Sequence, residues 1–430
     1  MIPTDLIRGN QSKLTPCCPS RQYEEKTGVK KIDFTFLLGL VPLFMVAHFS
    51  HHVLAALISP LLPYVRSDLS LNYTQSGLLV SAFTVSYGFS HLPAGWIADR
   101  VEPRIIILIS ICGVALAGFF IGLSNTYFMM VLFFIMMGTL GGGYHPSATP
   151  LISSAVDPSK RGFALGLHIM GGSASFFLTP LIGVVITTYW GWRNAFKILS
   201  IPTIIVGIIL FLILGRYAQK MKNEDPGSRS DQSGAPVKKT LSASVILFLF
   251  LSTFTQAIIV STIVFIPLYM VDHFGAGKEA AAISLAIIHS TGFWAGPLGG
   301  YLADRFGTLK LMLSLCFIIG PTIYLTNMVS YGPGFYILLI IIGMVMKMRQ
   351  PVSESYLVSQ APTAYRSTLL GVYFFAGIEG GGVLTPLVGY LIDTLGFQLT
   401  FSIAGGSVLI TTLICSFFLK EKKPVCIKEV

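Results

Sequence analysis

The sequence predicts an all-α membrane protein of twelve transmembrane helices arranged as two parallel six-helix repeats, and three observations predict it. The chain of 430 residues is 53% hydrophobic and only 11% charged, whereas soluble domains carry about a quarter charged residues. Apolar stretches long enough to cross a bilayer recur twelve times along it. The second half of the chain repeats motifs of the first at a fixed offset.

A hydrocarbon core about 30 Å thick takes about 20 apolar residues per helix. Between turn and charge signals the candidate spans are residues 34–64, 73–94, 103–123, 127–152, 161–188 and 194–215, then 241–271, 278–303, 308–329, 333–358, 366–393 and 397–419. Residues 1–33 are polar, carry six Lys or Arg and lack the apolar run of a signal peptide, so a tail is expected there. Residues 216–240, which include Asn223-Glu-Asp-Pro-Gly-Ser, are expected to link a half at 34–215 to a half at 241–419, with a second tail at 420–430.

With both termini on one side, that side holds 23 of the 29 Lys and Arg, and the opposite loops hold four: Arg66, Arg193, Lys197 and Lys278. The bias predicts cytoplasmic N and C termini in a multi-pass protein of the plasma (inner) membrane. It also gives the net charge of +10 a topological cause, so no nucleic-acid partner is expected. Of the six cysteines, Cys112, Cys316 and Cys415 lie in apolar stretches without metal-like spacing and are expected to be packing residues or reduced thiols.

The repeat is carried by Gly95-Trp-Ile-Ala-Asp99-Arg100, which recurs as Gly300-Tyr-Leu-Ala-Asp304-Arg305 at an offset of 205. Pro146 and Pro351, Arg161 and Arg366, and Gly166 and Gly371 keep the same offset. Each half is a copy of one unit. An even number of spans per unit makes the copies parallel, related by an axis along the membrane normal, with a path between them.

Gly95-x-x-x-Asp99-Arg100 and Gly300-x-x-x-Asp304-Arg305-x-Gly307, each between the second and third span of its half, resemble the signature loop of the major facilitator superfamily. The resemblance covers residues 34–419 and implies the major facilitator fold and solute transport by alternating access. The first copy has Glu102 where the family usually has glycine but keeps the basic Arg104; the second keeps Gly307 and Lys310. His48-Phe-Ser-His-His52, Pro60-Leu-Leu-Pro63 and Gly143-Tyr-His145-Pro146 followed by Arg161-Gly162 resemble the fosmidomycin-resistance-like branch of exporters. The drug/proton antiporter pattern usually adds an arginine in the fourth span, and this chain has none there. Apart from the resemblance, a carboxylate beside a helix start accepts hydrogen bonds from free backbone N–H groups and from arginine, so these loops are expected to latch a gate. Topological anchoring by their charges is the alternative.

An ionisable residue at bilayer depth costs about 2.5–3.5 kcal/mol on insertion scales, so each one asks for a partner or a water-filled cavity. In the family fold the first, fourth, seventh and tenth helices line the cavity. On the first span, His48, His51 and His52 share one helix face and can bind solute or carry protons, or act as neutral polar glue. With no acidic or thiol ligand beside them, no metal site is expected. The tenth span carries Lys347, Gln350 and Glu354 on one stripe with Arg349 on a flank. Its repeat partner carries Tyr144 and His145, and the seventh span offers Gln256. Lys347 or Arg349 can bind a carboxylate, phosphonate or sulfonate group; internal salt bridges to Glu354 or Glu379 are the alternative. Glu379, among glycines in the eleventh span, is the best candidate for a proton carrier, with Glu354 a second, since a solute on Arg349 would change its protonation.

These residues point to a secondary active transporter of a small organic solute, proton-coupled and exporting anionic compounds. An uptake symporter for an organic acid is a second reading within transport. A non-transporting receptor or sensor is a third, of another class, because fold alone does not fix function. No Gly-x-Ser-x-Gly, His-Glu-x-x-His or Walker pattern occurs, so neither an enzyme nor an ATP-driven pump is expected. The chain is expected to need no cofactor and to work as a monomer in the lipid bilayer.

Overall fold

The computed structural model describes residues 34–98, 100–154, 161–224, 242–360 and 366–419. Among the described residues all regular structure is helical. The first span consists of α1 (Phe34–Val53) and α2 (Ile58–Leu69), which meet at 46° across a short 3-10 turn at Ala55–Leu57. Then follow α3 (Tyr73–Ala98), α4 (Pro103–Ile121), α5 (Tyr127–Gly141) continued by α6 (Tyr144–Ser154), α7 (Arg161–Trp190) and α8 (Trp192–Glu224). Next in the chain come α9 (Ala243–Asp272) and the pair α10 (Lys278–Ser290) and α11 (Ala295–Phe306), bent by 43°. The remaining helices are α12 (Thr308–Leu325), α13 (Pro333–Gln360) and α14 (Arg366–Phe418).

Among the described residues eight helices are long and apolar enough to cross a membrane, and ten if each bent pair is one span. Two features bring these into agreement with twelve. Gly396 sits at φ 76° inside the 53 residues of α14 and divides it into two arms. Helix α3, with 26 residues, is long enough to span but carries the polar side chains Ser76, Ser81, Thr84, Ser86, Ser90 and His91. Polar side chains on a spanning helix are tolerated where they turn inward; Ser81 donates to the Gly382 carbonyl of α14 and Ser90 to the Gly138 carbonyl of α5.

Lipid tails are as apolar as leucine, so helices in a membrane are held by close packing and hydrogen bonds rather than by the hydrophobic effect. Glycine supplies the close approach here. A methyl group built on Gly77 would come within 2.9 Å of the Thr385 carbonyl, and one on Gly382 within 2.6 Å of Val85, so α3 and the first arm of α14 meet along a seam of small residues. The Gly380–Gly382 run thus packs against α3 and α9. Helix α7 packs on α1 and α10, α4 on α8, and α9 on α14. Many of the largest apolar side chains point outward, among them Phe128 at 76% and Phe417 at 71% exposure. In water such a surface would aggregate; in a bilayer it is the face presented to lipid.

The spans run alternately away from the end that carries residues 34 and 419 and back to it. At the far end, charged groups of α2 and α3 meet those of α9, α10 and α14. Arg66 pairs with Asp272 at 2.7 Å, Tyr73 donates to the same Asp272 at 2.7 Å, and Tyr64 donates to Glu279 at 3.0 Å. Asp393 accepts from the backbone N–H groups of Tyr73 and Thr74 at 2.9 and 2.8 Å. These are the unpaired donors of the first turn of α3, so a carboxylate of α14 caps a helix that lies 320 residues away in the chain.

Candidate functional site

A cluster of imidazole and phenol rings fills the middle of the bundle. Along α1, 100° per residue puts His48 and His52 one above the other and His51 beside them. His48 stacks on His168 of α7 with centroids 4.2 Å apart and an interplanar angle of 13°. His51 stacks on Tyr144 of α6 at 4.5 Å and 12°, and its Nε2 lies 3.3 Å from the Tyr87 hydroxyl of α3. His145 stands edge-on to His48 at 5.0 Å and lies 6.3 Å from His91, nearly parallel to it. Four elements of the first half of the chain therefore converge here, and the structure brings His48, His51, His52, Tyr144 and His145 together.

Two backbone contacts hold the rings. His48 Nδ1 lies 2.7 Å from the His168 carbonyl oxygen. That oxygen can only accept, so Nδ1 carries the proton and Nε2 presents its lone pair. Gly172, one turn along α7 from His168, leaves the space the ring occupies. A methyl group built there would lie 2.7 Å from His48 Cε1. The ring is stacked and hydrogen-bonded on its other side, so it cannot step back without losing those contacts. Gly172→Ala is expected to cost about 1–3 kcal/mol through overpacking. A lowered Tm in detergent checks this; a wild-type melt would mean the cluster is slack.

Lys347 of α13 faces the same space from the opposite side. It is half-buried, and a methyl group built on Gly292, beside α10, would lie 3.1 Å from Ser173 of α7 and 3.4 Å from Lys347 Cε, so the lysine stem reaches the gap between the halves next to α7. Phe176 bridges the two groups, its ring 5.2 Å from His52 and 5.1 Å from His289. The three ion pairs among the described residues, Arg66–Asp272, Arg104–Glu102 and Arg193–Asp68, all lie at helix ends. Lys347 is in none of them.

Arg349 is placed differently. It is 1% exposed, wedged between α13 and α9, donating to Gln256 Oε1 at 3.0 Å and to the Ser252 carbonyl. In this conformation it joins two helices rather than lining the open space. Glu354 takes a hydrogen bond from Gln350 at 3.0 Å, so among the described residues it is paired with neither cation. The side chain of Glu379 lies outside the described residues.

The signature loops are partly described. Arg100 donates to the Trp96 carbonyl at 2.9 Å and lies over the Trp96 ring, and Arg305 reaches the Tyr301 hydroxyl at 3.4 Å. Gly307 has φ 94°, a conformation that glycine alone adopts without strain. Its counterpart Glu102 has φ −53°, which needs no glycine, and its carboxylate pairs with Arg104 at 2.6 Å. The departure from the pattern thus has a backbone reason. Gly300 has open space around it. Asp99 lies outside the described residues, as do the side chains of Gly95, Arg161, Asp304 and Arg366, so the latch expected of the loops stands on the sequence.

Sequence reasoning missed His168, His91 and His289, the aromatic partner Tyr87, and the far-end acids Asp272 and Asp393. One signal was present for the histidines. Seven of the eight in the chain fall inside candidate spans, an excess where ionisable residues are expensive.

Comparison with known proteins agrees with this architecture. The chain is 25% identical over 80% of its length to the multidrug resistance protein MdtG of Proteus mirabilis, covering 87% of that protein. It is 22% identical over 85% of its length to a cis,cis-muconate transport protein of Acinetobacter baylyi, covering 90%. Its fold matches a bacterial homolog of the human lysosomal transporter Spinster in an inward-facing, occupied conformation, with a TM-score of 0.68 at 17% identity over 91% of this chain and 97% of that one. These relatives are transporters and not enzymes. The model of the Major Facilitator Superfamily matches residues 44–378, and the chain belongs to that family of multi-pass membrane transporters.

Proposed function

We propose that this protein is a proton-coupled secondary transporter that moves a small organic anion by alternating access between its two halves. The observation that carries the reading is Lys347, a half-buried cation facing a ring of histidines with no carboxylate paired to it among the described residues. A lysine at this depth costs about 2.5–3.5 kcal/mol unless an anion or water meets it. A solute carboxylate, phosphonate or sulfonate removes that cost on binding. Gln256, Gln350 and the imidazoles of His52 and His145 offer the neutral hydrogen bonds that would fix its orientation, and Arg349 is available to it once α9 and α13 separate.

Resemblance to MdtG and to the fosmidomycin-resistance-like exporters supports outward transport. The named solute of the muconate relative is a dicarboxylate, which favours uptake of an organic acid as the second reading. In either direction Glu379, with Glu354 as an alternative, carries the proton. The signature-loop residues Asp99, Arg100, Asp304 and Arg305 form the gate on the side of the termini, which lie in the cytoplasm, and the working unit is a monomer in the plasma membrane.

Glu379→Gln in proteoliposomes is expected to abolish flux driven by a pH gradient while sparing solute exchange. Coupling equal to wild type in this variant would remove Glu379 from the mechanism. Imposing the gradient in each orientation separates export from uptake. Thermal-shift screening against organic anions, cations and neutral drugs identifies the solute class, since a ligand that binds the folded state stabilises it.

A further inference from the structure

We propose that His48, His52 and His145 bind a first-row divalent transition-metal ion that enters the cavity as part of the solute, as a complex with a small carboxylate whose anionic portion faces Lys347. The proposal rests on the reading of this cavity as the solute site and names the solute class more closely.

The ligand atoms of the three rings all lie within 4.8 Å of one another. His48 Nε2 and His52 Nε2 are 3.1 Å apart. Two metal–imidazole bonds of about 2.0–2.1 Å at a tetrahedral angle separate their nitrogens by about 3.3 Å, so the pair is within a few tenths of an ångström of a chelating geometry. His48 is also oriented for it. Its Nδ1 donates to the His168 carbonyl, the kind of outer partner that fixes the tautomer of a metal-bound histidine and turns the Nε2 lone pair toward the ion. Two facing Nε2 atoms at this distance need a proton or a cation between them. In the metal-free site His52 supplies the proton, and an ion would displace it. The sequence-based expectation of no metal site considered the histidines of α1 by themselves, and the third donor comes from α6.

Charge selects the form of the metal. The three ligands are neutral and leave the ion's two charges uncompensated, while Lys347 reaches the same space beside Ser173 of α7. A bare dication would be repelled there. A carboxylate complex brings the anion that both the metal and Lys347 require. Imidazole donors favour zinc, copper, nickel, cobalt or iron over magnesium and calcium. Three protein ligands leave coordination positions for the carboxylate, and the partial exposure of His52 and His145 gives a path to them.

The test uses the full-length protein, tag removed, in nanodiscs, with Cys17→Ser and Cys18→Ser so that those thiols take no metal. Co²⁺ is titrated with and without citrate and followed by its visible absorption. Wild type is expected to bind one Co²⁺ per chain, more tightly with citrate. His52→Gln and His145→Gln are each expected to weaken binding at least about tenfold. Lys347→Met is expected to remove the gain from citrate and leave binding of Co²⁺ alone. X-ray absorption of the wild-type complex, which needs no variant, is expected to show imidazole nitrogens at about 2.0–2.1 Å. Absence of saturable binding, or binding indifferent to both histidine variants, overturns the proposal. If an anion without metal binds and both variants still bind it, the metal proposal falls while the transporter reading stands. If the histidines bind Co²⁺ but no anion is bound or carried, the reading of the cavity as an anion site fails, and the carboxylate complex with it.

Discussion

Lys347→Met is expected to abolish binding of an anionic solute and, at the same time, to raise the melting temperature of the empty protein. The two effects share a cause. A cation with no carboxylate paired to it among the described residues destabilises the resting structure, and methionine keeps much of its shape without the charge. Removing it recovers part of the roughly 2.5–3.5 kcal/mol that a lysine costs at this depth, which is a gain of several degrees in Tm. Solute affinity depends on the same charge and is expected to fall by at least about 100-fold, the equivalent of about 2.8 kcal/mol. Arg349→Met provides the contrast. The guanidinium of Arg349 donates from its two terminal nitrogens to Gln256 and the Ser252 carbonyl, so its loss leaves buried acceptors unpaired and is expected to lower Tm. A thermal melt of both variants, with and without solute, separates the two roles. Equal loss of stability in both would show Lys347 to be a scaffold residue and remove it from the binding site.

The different fates of these two residues were partly legible beforehand. Residues two apart on a helix are separated by about 200°, so Lys347 and Arg349 could not both face one cavity. The sequence had no means of saying which of them would. That depends on the rotation of α13 against α9, a tertiary fact. The twelve spans and the repeat were legible because they are written in periodicity and in motifs such as Gly300-x-x-x-Asp304-Arg305-x-Gly307. The positive φ of Gly307 then explains why that position is glycine and why Glu102 can replace it in the first copy. His48, His51 and His52 announced themselves by sharing a helix face. His168, His91 and His289 stand singly in their spans, and a lone histidine carries no periodic signal; only the packing of α7, α3 and α10 reveals them. Asp272 and Asp393 were overlooked for the opposite reason. At the ends of spans a charge is ordinary, and nothing local distinguishes a solvated carboxylate from one that caps another helix.

Asp393→Ala is expected to loosen the far end and shift the protein toward a state open there. The carboxylate satisfies two of the first N–H groups of α3 and also takes the Thr74 hydroxyl. It does so from α14, so the bond exists only while those helices are together at this end. Loss of a helix cap costs about 0.5–2 kcal/mol, and here the cost falls on the closed state alone. An equilibrium shifted by 1.4 kcal/mol moves tenfold. The neighbouring pair Arg66–Asp272 is about a quarter exposed on each side and contributes less, being screened by solvent. Ser67, which lines the far-end recess with Arg66 and Asp272, is a suitable reporter. With Ser67→Cys in a background free of reactive cysteines, the maleimide labelling rate is expected to rise about tenfold when Asp393→Ala is added. Asp272→Asn, which keeps an acceptor for Tyr73 and loses only the charge, is expected to give a smaller increase. A labelling rate unchanged by Asp393→Ala would mean that the seam of Gly77 and Gly382, extended by Gly389 against the Tyr73 carbonyl, closes this end by packing alone, and that the carboxylate does not act as a latch.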